Sequence, residues 1–137
     1  MKNLKAIFLL TFLIGWALIT SSCQKVDVEP DPAKAILGKW EIIEMGNWPN
    51  MEPVVNPVAY SEYLVDSVLR ECDYEKQTYF TKKYWIDDSL LYEGIYRENG
   101  YLLTIRYRYE FFDKNNKLRL DLQALGIYNS FIYKRIE

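Results

Sequence analysis

The chain has 137 residues, enough for one domain. It carries 17 Lys and Arg against 19 Asp and Glu, so its formal charge of −2 lacks the basic excess of a nucleic-acid-binding protein. Half of the residues are hydrophobic and 16% are aromatic, which excludes a disordered chain because there is ample apolar surface to bury. The absence of histidine removes the commonest general base and metal ligand. We therefore expect no enzyme, no cofactor and no metal site.

The first 22 residues have the pattern of a secretory signal. Two lysines within the first five residues precede an apolar run over 6–20, and the small residues Ser21 and Ser22 follow it. The run is shorter than the roughly 20 residues that a spanning helix needs. A cleaved signal is therefore the first interpretation, and an uncleaved N-terminal anchor is the alternative.

Cys23 directly follows those two serines, and this junction resembles a bacterial lipoprotein signal, which is cut just before a cysteine that receives lipid. The resemblance implies removal of residues 1–22 and attachment of the mature protein to the outer membrane through lipid on Cys23, on either face of that membrane. Several acyl chains on one cysteine give stable anchoring. The next residues, 24–29, resemble the polar-acidic export signals of Bacteroidota surface lipoproteins, although a plain solvated tether fits them equally. We expect a lipidated, flexible tether over residues 23–32.

A barrel domain is expected over residues 33–137. Asp31 and Pro32 fit the cap and first position of a short helix that Gly38 can end. Beyond Gly38 the apolar residues alternate, with a period of two, as in half-buried strands. Eight strands are predicted, over residues 39–45, 59–65, 68–73, 78–86, 90–96, 101–113, 118–122 and 130–136.

The segments between these strands are mostly short and rich in turn residues, such as Asn99-Gly100. Short connections require antiparallel neighbours, because parallel strands need long crossovers. The exception is the Pro- and Asn-rich stretch 46–57, which we interpret as a long loop. The sequence thus predicts an all-β protein, an eight-stranded antiparallel up-and-down barrel preceded by a short helix, with a two-sheet sandwich as the alternative.

Charge pairing predicts the register of one hairpin. In strand 101–113 the odd residues are apolar, whereas in strand 118–122 the even residues are apolar. A register that places Glu110 opposite Arg119 and Arg108 opposite Asp121 gives two opposite-charge pairs on the outer face. Shifting the register by two residues would place Glu110 opposite Asp121, and repulsion between these two negative charges disfavours that register.

The helix, the Gly38-Lys39-Trp40 opening, the meander and the ending at 131–136 together resemble a small bacterial lipocalin-like lipoprotein. The resemblance spans about residues 33–137. It implies that Trp40 packs across the closed end of the barrel, and that Arg135 is the basic residue that covers it. The domain is shorter than typical lipocalins, so its interior is expected to be small or filled by side chains.

Two aromatic groups are candidate ligand-binding residues. Tyr101, Tyr107 and Tyr109 form a stripe on the apolar face of one strand, where rings and hydroxyls can contact a ligand. The alternative is plain core. Trp48 lies in the predicted loop, which in a lipocalin-like barrel covers the open mouth, either as a lid or partner surface or as a hydrophobic cap. A shared interior is expected for Trp40, Tyr107, Tyr109, Leu120 and Leu122.

Other chemical candidates have simpler interpretations. Cys72 lacks a histidine to activate it, so we expect a structural, strand-borne thiol. The pair Asp87-Asp88 fits a turn rather than a metal site, since adjacent strand residues point to opposite faces. Glu71, Asp73 and Glu75 share one period-two face, which we interpret as solvated and outward. The leading functional hypothesis is a lipid-anchored barrel that binds a small apolar or sugar-like ligand; the alternative is a protein-interaction module with a filled barrel.

Overall fold

A computed structural model describes residues 28–124 and 129–137. The signal, Cys23 and the first part of the tether lie outside the described residues, so the expectations about them stay predictions. Within the described residues, no helix has the length and apolar character needed to cross a membrane.

The described residues form one short helix and nine strands. The helix begins as expected: the Asp31 side chain accepts a hydrogen bond from the backbone N–H of Ala33 at 2.9 Å, and Pro32 occupies the first helical position. Gly38 then starts the first strand with φ of +113°, where a Cβ would lie 2.7 Å from the carbonyl oxygen of Glu137. The elements are α1 (Pro32–Ala35), β1 (Gly38–Asn47), β2 (Asn50–Pro53), β3 (Ala59–Tyr63), β4 (Val68–Asp73), β5 (Tyr79–Ile86), β6 (Leu90–Tyr96), β7 (Leu102–Phe112), β8 (Lys117–Leu122) and β9 (Ser130–Arg135).

Eight of the strands close into an antiparallel barrel. From β3 to β9 each strand pairs with the next, and β1 pairs with both β3 and β9. The all-β class, the antiparallel pairing and the eight barrel strands are therefore confirmed. We call the end that carries α1 the helix end, and the opposite end, which carries the β4–β5 and β6–β7 turns, the far end.

The ninth strand, β2, corrects the expectation of a long loop over residues 46–57. β1 pairs with β3 only as far as Glu41, and its register with β9 shifts between Ile42 and Glu44. This irregularity turns the second half of β1 away from β3 and leaves its backbone groups without a neighbour on that side. β2 folds back and pairs with them, from Glu44 opposite Pro53 to Asn47 opposite Asn50.

The core lies at the helix end and follows the predicted alternation. Trp40 and Leu120 are buried, while Tyr107 and Tyr109 pack against the buried cluster; Leu122 is half-buried and lies nearer the far end. The fully or nearly fully buried cluster contains Ile36, Trp40, Tyr63, Leu69, Tyr84, Leu91, Leu118 and Leu120. Cys72 is a free, buried thiol on β4, as expected.

The predicted register of the β7–β8 hairpin is confirmed. Glu110 lies opposite Arg119, and Arg108 lies opposite Asp121. The Arg119 guanidinium contacts the Glu110 carboxylate at 2.7 Å. Cross-strand charge pairing therefore identified the correct register between the two that the apolar pattern allowed.

Candidate functional site

Trp40 and Arg135 close the helix end. Trp40 is fully buried, and its indole N–H donates to the carbonyl oxygen of Ile36 at 2.7 Å. The guanidinium carbon of Arg135 lies 4.2 Å from the centroid of the Trp40 ring. Its two terminal nitrogens donate to the carbonyl oxygens of Leu37 and Ala35, each at 2.5 Å. Arg135 thus ties β9 to the end of α1 and covers the tryptophan.

Charged side chains lie inside the barrel further along its axis. Lys82 on β5 donates a hydrogen bond to Glu71 on β4 at 2.5 Å and to Glu93 on β6 at 3.1 Å. Tyr63 donates a hydrogen bond to the second carboxylate oxygen of Glu93 at 3.3 Å. Glu93 is buried, and the Lys82 side chain is only 10% exposed. We call Glu71, Lys82 and Glu93 the interior triad.

The position of Glu71 corrects the expectation of three outward acids. Glu71 follows the fully buried Leu69 by two residues, so both lie on the inner face of β4. The other two acids have different environments. Asp73 accepts hydrogen bonds from the backbone N–H groups of Glu75 and Lys76 and so shapes the β4–β5 turn, and Glu75 is exposed.

The triad gives this part of the interior a negative potential. Burial raises the pKa of Glu93, and the charge of Lys82 only partly offsets this effect. Burial alone would lower the pKa of Lys82, but the charges of Glu93 and Glu71 keep it above its ordinary value. Burial and then the charge of Glu93 also raise the pKa values of Tyr107 and Tyr133. The nearby phenols therefore remain neutral hydroxyl groups.

A cavity of about 290 Å³ lies beside the triad, where β1 separates from β3. It has apolar walls from β1 and polar groups from β3, β4 and β9. Within the described part of the chain, the hydroxyls of Ser61 and Tyr133 have no hydrogen-bond partner. The lining residues are Trp40, Ile42, Ala59, Tyr60, Ser61, Glu71 and Tyr133.

The four aromatic residues expected to bind ligand do not converge. Tyr107 lies inside the barrel, whereas Tyr109 lies towards the helix end and donates a hydrogen bond to the Asp87 carbonyl oxygen at 2.7 Å. Tyr101 precedes β7 and is 74% exposed at the far end, where Leu102 and Leu103 of β7 are also exposed. Trp48 is 53% exposed, and its ring centroid lies 4.4 Å from the guanidinium carbon of Arg119.

Trp48 therefore lies against the outer wall rather than over the interior. Its hairpin places it beside β8, at a surface cleft of about 380 Å³ that Arg119 and Phe112 also line. The expectation that residues 46–57 cover the mouth of the barrel assumed a free loop. The β1–β2 pairing holds this stretch to the side instead.

Sequence reasoning missed Lys82 and Glu93, although the chain carries a signal for them. On β6, Glu93 shares its period-two face with Leu91, which is completely buried. On β5, Lys82 shares its face with the buried Tyr84. One charged residue on the apolar face of each of two adjacent strands, with opposite signs, is the pattern of an interior ion pair.

Asp87 forms a turn as expected: its side chain accepts hydrogen bonds from the backbone N–H groups of Ser89 and Leu90, each at 2.8 Å. Over residues 28–124 and 129–137, no group of three or more His, Cys, Asp or Glu side chains is placed to hold a metal ion. No protein-family model matches the chain, and no curated protein matches it either.

Proposed function

We propose that this chain is a lipid-anchored, non-enzymatic protein of the bacterial outer membrane whose lipocalin-like barrel binds a small ligand in its interior. The cavity beside the interior triad carries the proposal. Its volume of about 290 Å³ is just below the range of about 300–1,000 Å³ that is usual for small-molecule sites, so it suits a very small ligand. It combines apolar walls with the accessible hydroxyls of Ser61 and Tyr133. Each hydroxyl can donate a hydrogen bond to a small ligand or accept one from it.

The lipocalin-like part of the proposal rests on the helix end. The short helix, the glycine that starts β1, the buried Trp40 and the Arg135 guanidinium above its ring match what the sequence resemblance implies. The consecutive antiparallel pairing of the barrel strands supports the same assignment.

Native mass spectrometry of the purified mature protein tests ligand binding. We expect a species heavier than the lipidated polypeptide, and we expect the extra mass to disappear after denaturation. A preparation that shows only the mass of the lipidated polypeptide would argue against an interior ligand.

Metabolic labelling with a fatty-acid analogue tests the anchor. The wild-type protein should be labelled and a Cys23→Ala variant should not. Cys72→Ala is the matched control, because Cys72 is a buried thiol within the barrel wall. Equal labelling of the wild type and Cys23→Ala would exclude lipidation at this residue.

A protein-interaction module is the second candidate, and the far end of the barrel favours it. Large apolar side chains there are exposed to solvent, and exposed apolar patches commonly mark interaction sites. They include Val58, Phe80, Tyr96, Tyr101 and Leu103, which are 75%, 51%, 67%, 74% and 39% exposed.

Site-specific photocrosslinking in cells separates the two candidates. A crosslinker at Tyr101 should give one discrete adduct if the far end binds a protein. The control position is Val65, which is 86% exposed near the helix end. An interaction module with a filled barrel would show that adduct and no bound small molecule in native mass spectrometry.

A further inference from the structure

The acceptor groups of the interior triad are unequally used. Both carboxylate oxygens of Glu93 accept hydrogen bonds, from Tyr63 and Lys82. Glu71 accepts the Lys82 bond at only one oxygen, and its other oxygen accepts none from the described residues. The Glu71 side chain is also 39% exposed, against 7% for Glu93. Glu71 is therefore the triad member whose carboxylate is available to a ligand.

The charges near the cavity leave an excess of negative charge at its wall. The triad contains two carboxylates and one ammonium group. Among the described residues that line the cavity, Glu71 is the one with a charged side chain. Arg135 is the next inward cation, but it is bound to main-chain carbonyl oxygens at the helix end and does not line the cavity. Burial is the main cause that raises the pKa of Tyr133, and the charges of Glu93 and Glu71 add to it, so their negative potential reaches its hydroxyl group.

The neutral part of the lining suits a cation as well. Tyr133 presents an aromatic ring, and a positive charge over an aromatic face is favourable, more so when it is desolvated. The hydroxyl oxygens of Ser61 and Tyr133 can accept hydrogen bonds from N–H groups. An anionic ligand would instead meet the Glu71 carboxylate, while the nearby Lys82 ammonium group is already shared between Glu71 and Glu93.

We infer that the interior cavity binds a small organic cation with a primary ammonium group, and that Glu71 is its counter-ion. The inference rests on the proposed ligand-binding function and specifies the class of ligand. The volume of about 290 Å³ restricts the ligand to a short molecule. The ammonium group donates to the free oxygen of Glu71, while the Lys82 bond to the other oxygen fixes the orientation of the carboxylate.

Isothermal titration calorimetry of the purified mature protein tests this with three probes of equal chain length: putrescine, butanediol and succinate. They carry ammonium, hydroxyl and carboxylate ends respectively. Putrescine should bind at least 10-fold more tightly than the other two. Glu71→Gln keeps the shape of the side chain and removes its charge, so it should weaken putrescine binding about 10-fold or more, the usual effect of losing a charged hydrogen-bond partner. Glu75→Gln, in the exposed β4–β5 turn, should leave the affinity unchanged.

Glu71→Gln is expected to fold, because Lys82 keeps Glu93 as its partner, and a thermal melt checks this. If it does not fold, Tyr133→Phe tests whether putrescine occupies this cavity, since that hydroxyl lines it and has no partner among the described residues. This variant should also bind putrescine more weakly.

The outcomes separate the ligand class from the proposed function. Tighter binding of butanediol or succinate, or an unchanged putrescine affinity in Glu71→Gln, would overturn the cationic class and leave interior ligand binding in place. If no probe binds, the ligand found by native mass spectrometry decides: a cation supports the inference and a neutral or anionic molecule overturns it. The absence of both probe binding and any co-purified molecule would overturn the inference and the proposed function together.

Discussion

Lys82 neutralises the buried carboxylate of Glu93, so Lys82→Met isolates the energetic role of the interior triad. In this variant Glu93 must either remain ionised without a partner or take up a proton. Protonating a carboxyl group with an ordinary pKa of about 4.3 costs about 4 kcal/mol at pH 7, which sets an upper limit on the loss. Breaking a buried ion pair by removing one partner typically costs about 3–5 kcal/mol. Because burial already raises the pKa of Glu93 in the wild type, we expect Lys82→Met to lower the free energy of unfolding by less than this limit, about 2–3 kcal/mol at pH 7.

The pH dependence of that loss is the diagnostic feature. Burial already raises the pKa of Glu93 in the folded protein, and removing Lys82 raises it further. A folded-state pKa above the unfolded value contributes stability that is present below the unfolded pKa and is lost as the pH rises through the folded pKa. The difference between wild type and Lys82→Met should therefore be small near pH 4.5. It should widen towards pH 7 by at most about 1.4 kcal/mol per pH unit.

Urea denaturation from pH 4.5 to 8 measures this difference. Lys83→Met is the matched control: Lys83 is the exposed neighbour of Lys82 on β5, and its loss should change stability by less than about 0.5 kcal/mol. The double variant Lys82→Met/Glu93→Leu should recover most of the loss, because apolar residues of similar volume often replace a buried ion pair without penalty. A cost below about 1 kcal/mol that is constant with pH would refute an interior ion pair.

Three further predictions concern the helix end and the outer wall. Trp40→Ala should lower the free energy of unfolding by about 3–5 kcal/mol in urea melts, as large aromatic deletions from cores do. Trp48→Ala should lower it by less than about 1 kcal/mol, because Trp48 is half-exposed. Equal losses would contradict the assignment of Trp40 as the core residue. Arg135→Met should cost about 2–3 kcal/mol, since it removes three hydrogen bonds from the guanidinium to main-chain carbonyl oxygens and the contact with Trp40, and a neutral result would contradict that role. Hydrogen bonds from Tyr74 and then Lys134 lower the pKa of Glu41, so its contribution to stability is present above the unfolded pKa and is lost as the pH falls through the lowered folded value. Glu41→Gln should accordingly flatten the loss of stability below pH 4.5 in acid titrations of unfolding, and an unchanged acid limb would argue against it.

The barrel could be predicted from the sequence because most of its information is local. Alternation on β7 and β8 identified their inner faces, and the pair Glu110 and Arg119 then selected one register. The helix start was equally local, since Asp31 and Pro32 each favour it through their own chemistry. The β2 strand was missed because its stability comes from the far half of β1. The backbone groups of that half lack a neighbour on one side because β1 changes register against β9 and leaves β3. No local sequence pattern indicates this change.

The interior triad was missed for a different reason. The rule that charged residues face outward assigned Glu71 to the surface, and on β4 Leu69 and Cys72 give conflicting indications of the inner face, because both are buried. The inner face of β4 becomes clear only when β3, β4 and β5 are considered together, because Leu69 lies opposite the buried Tyr63 on β3 and opposite Lys82 on β5. A carboxylate that is costly to bury alone becomes acceptable when Lys82 on the next strand faces the same interior.

The pairing of β1 with β9 also governs how this chain reaches its native state. Lys39 and Glu137, which form an ion pair at this seam, are separated by 98 positions in the sequence. Contacts between such distant segments incur their loop-closure entropy before they stabilise anything, so topologies of this kind fold slowly. The barrel cannot close until β9 is available, and until then one edge of β1 stays unpaired and exposed to association with other chains. A chain truncated before β9 would keep that edge permanently, so aggregation rather than a smaller stable fold is the expected fate of an incomplete translation product.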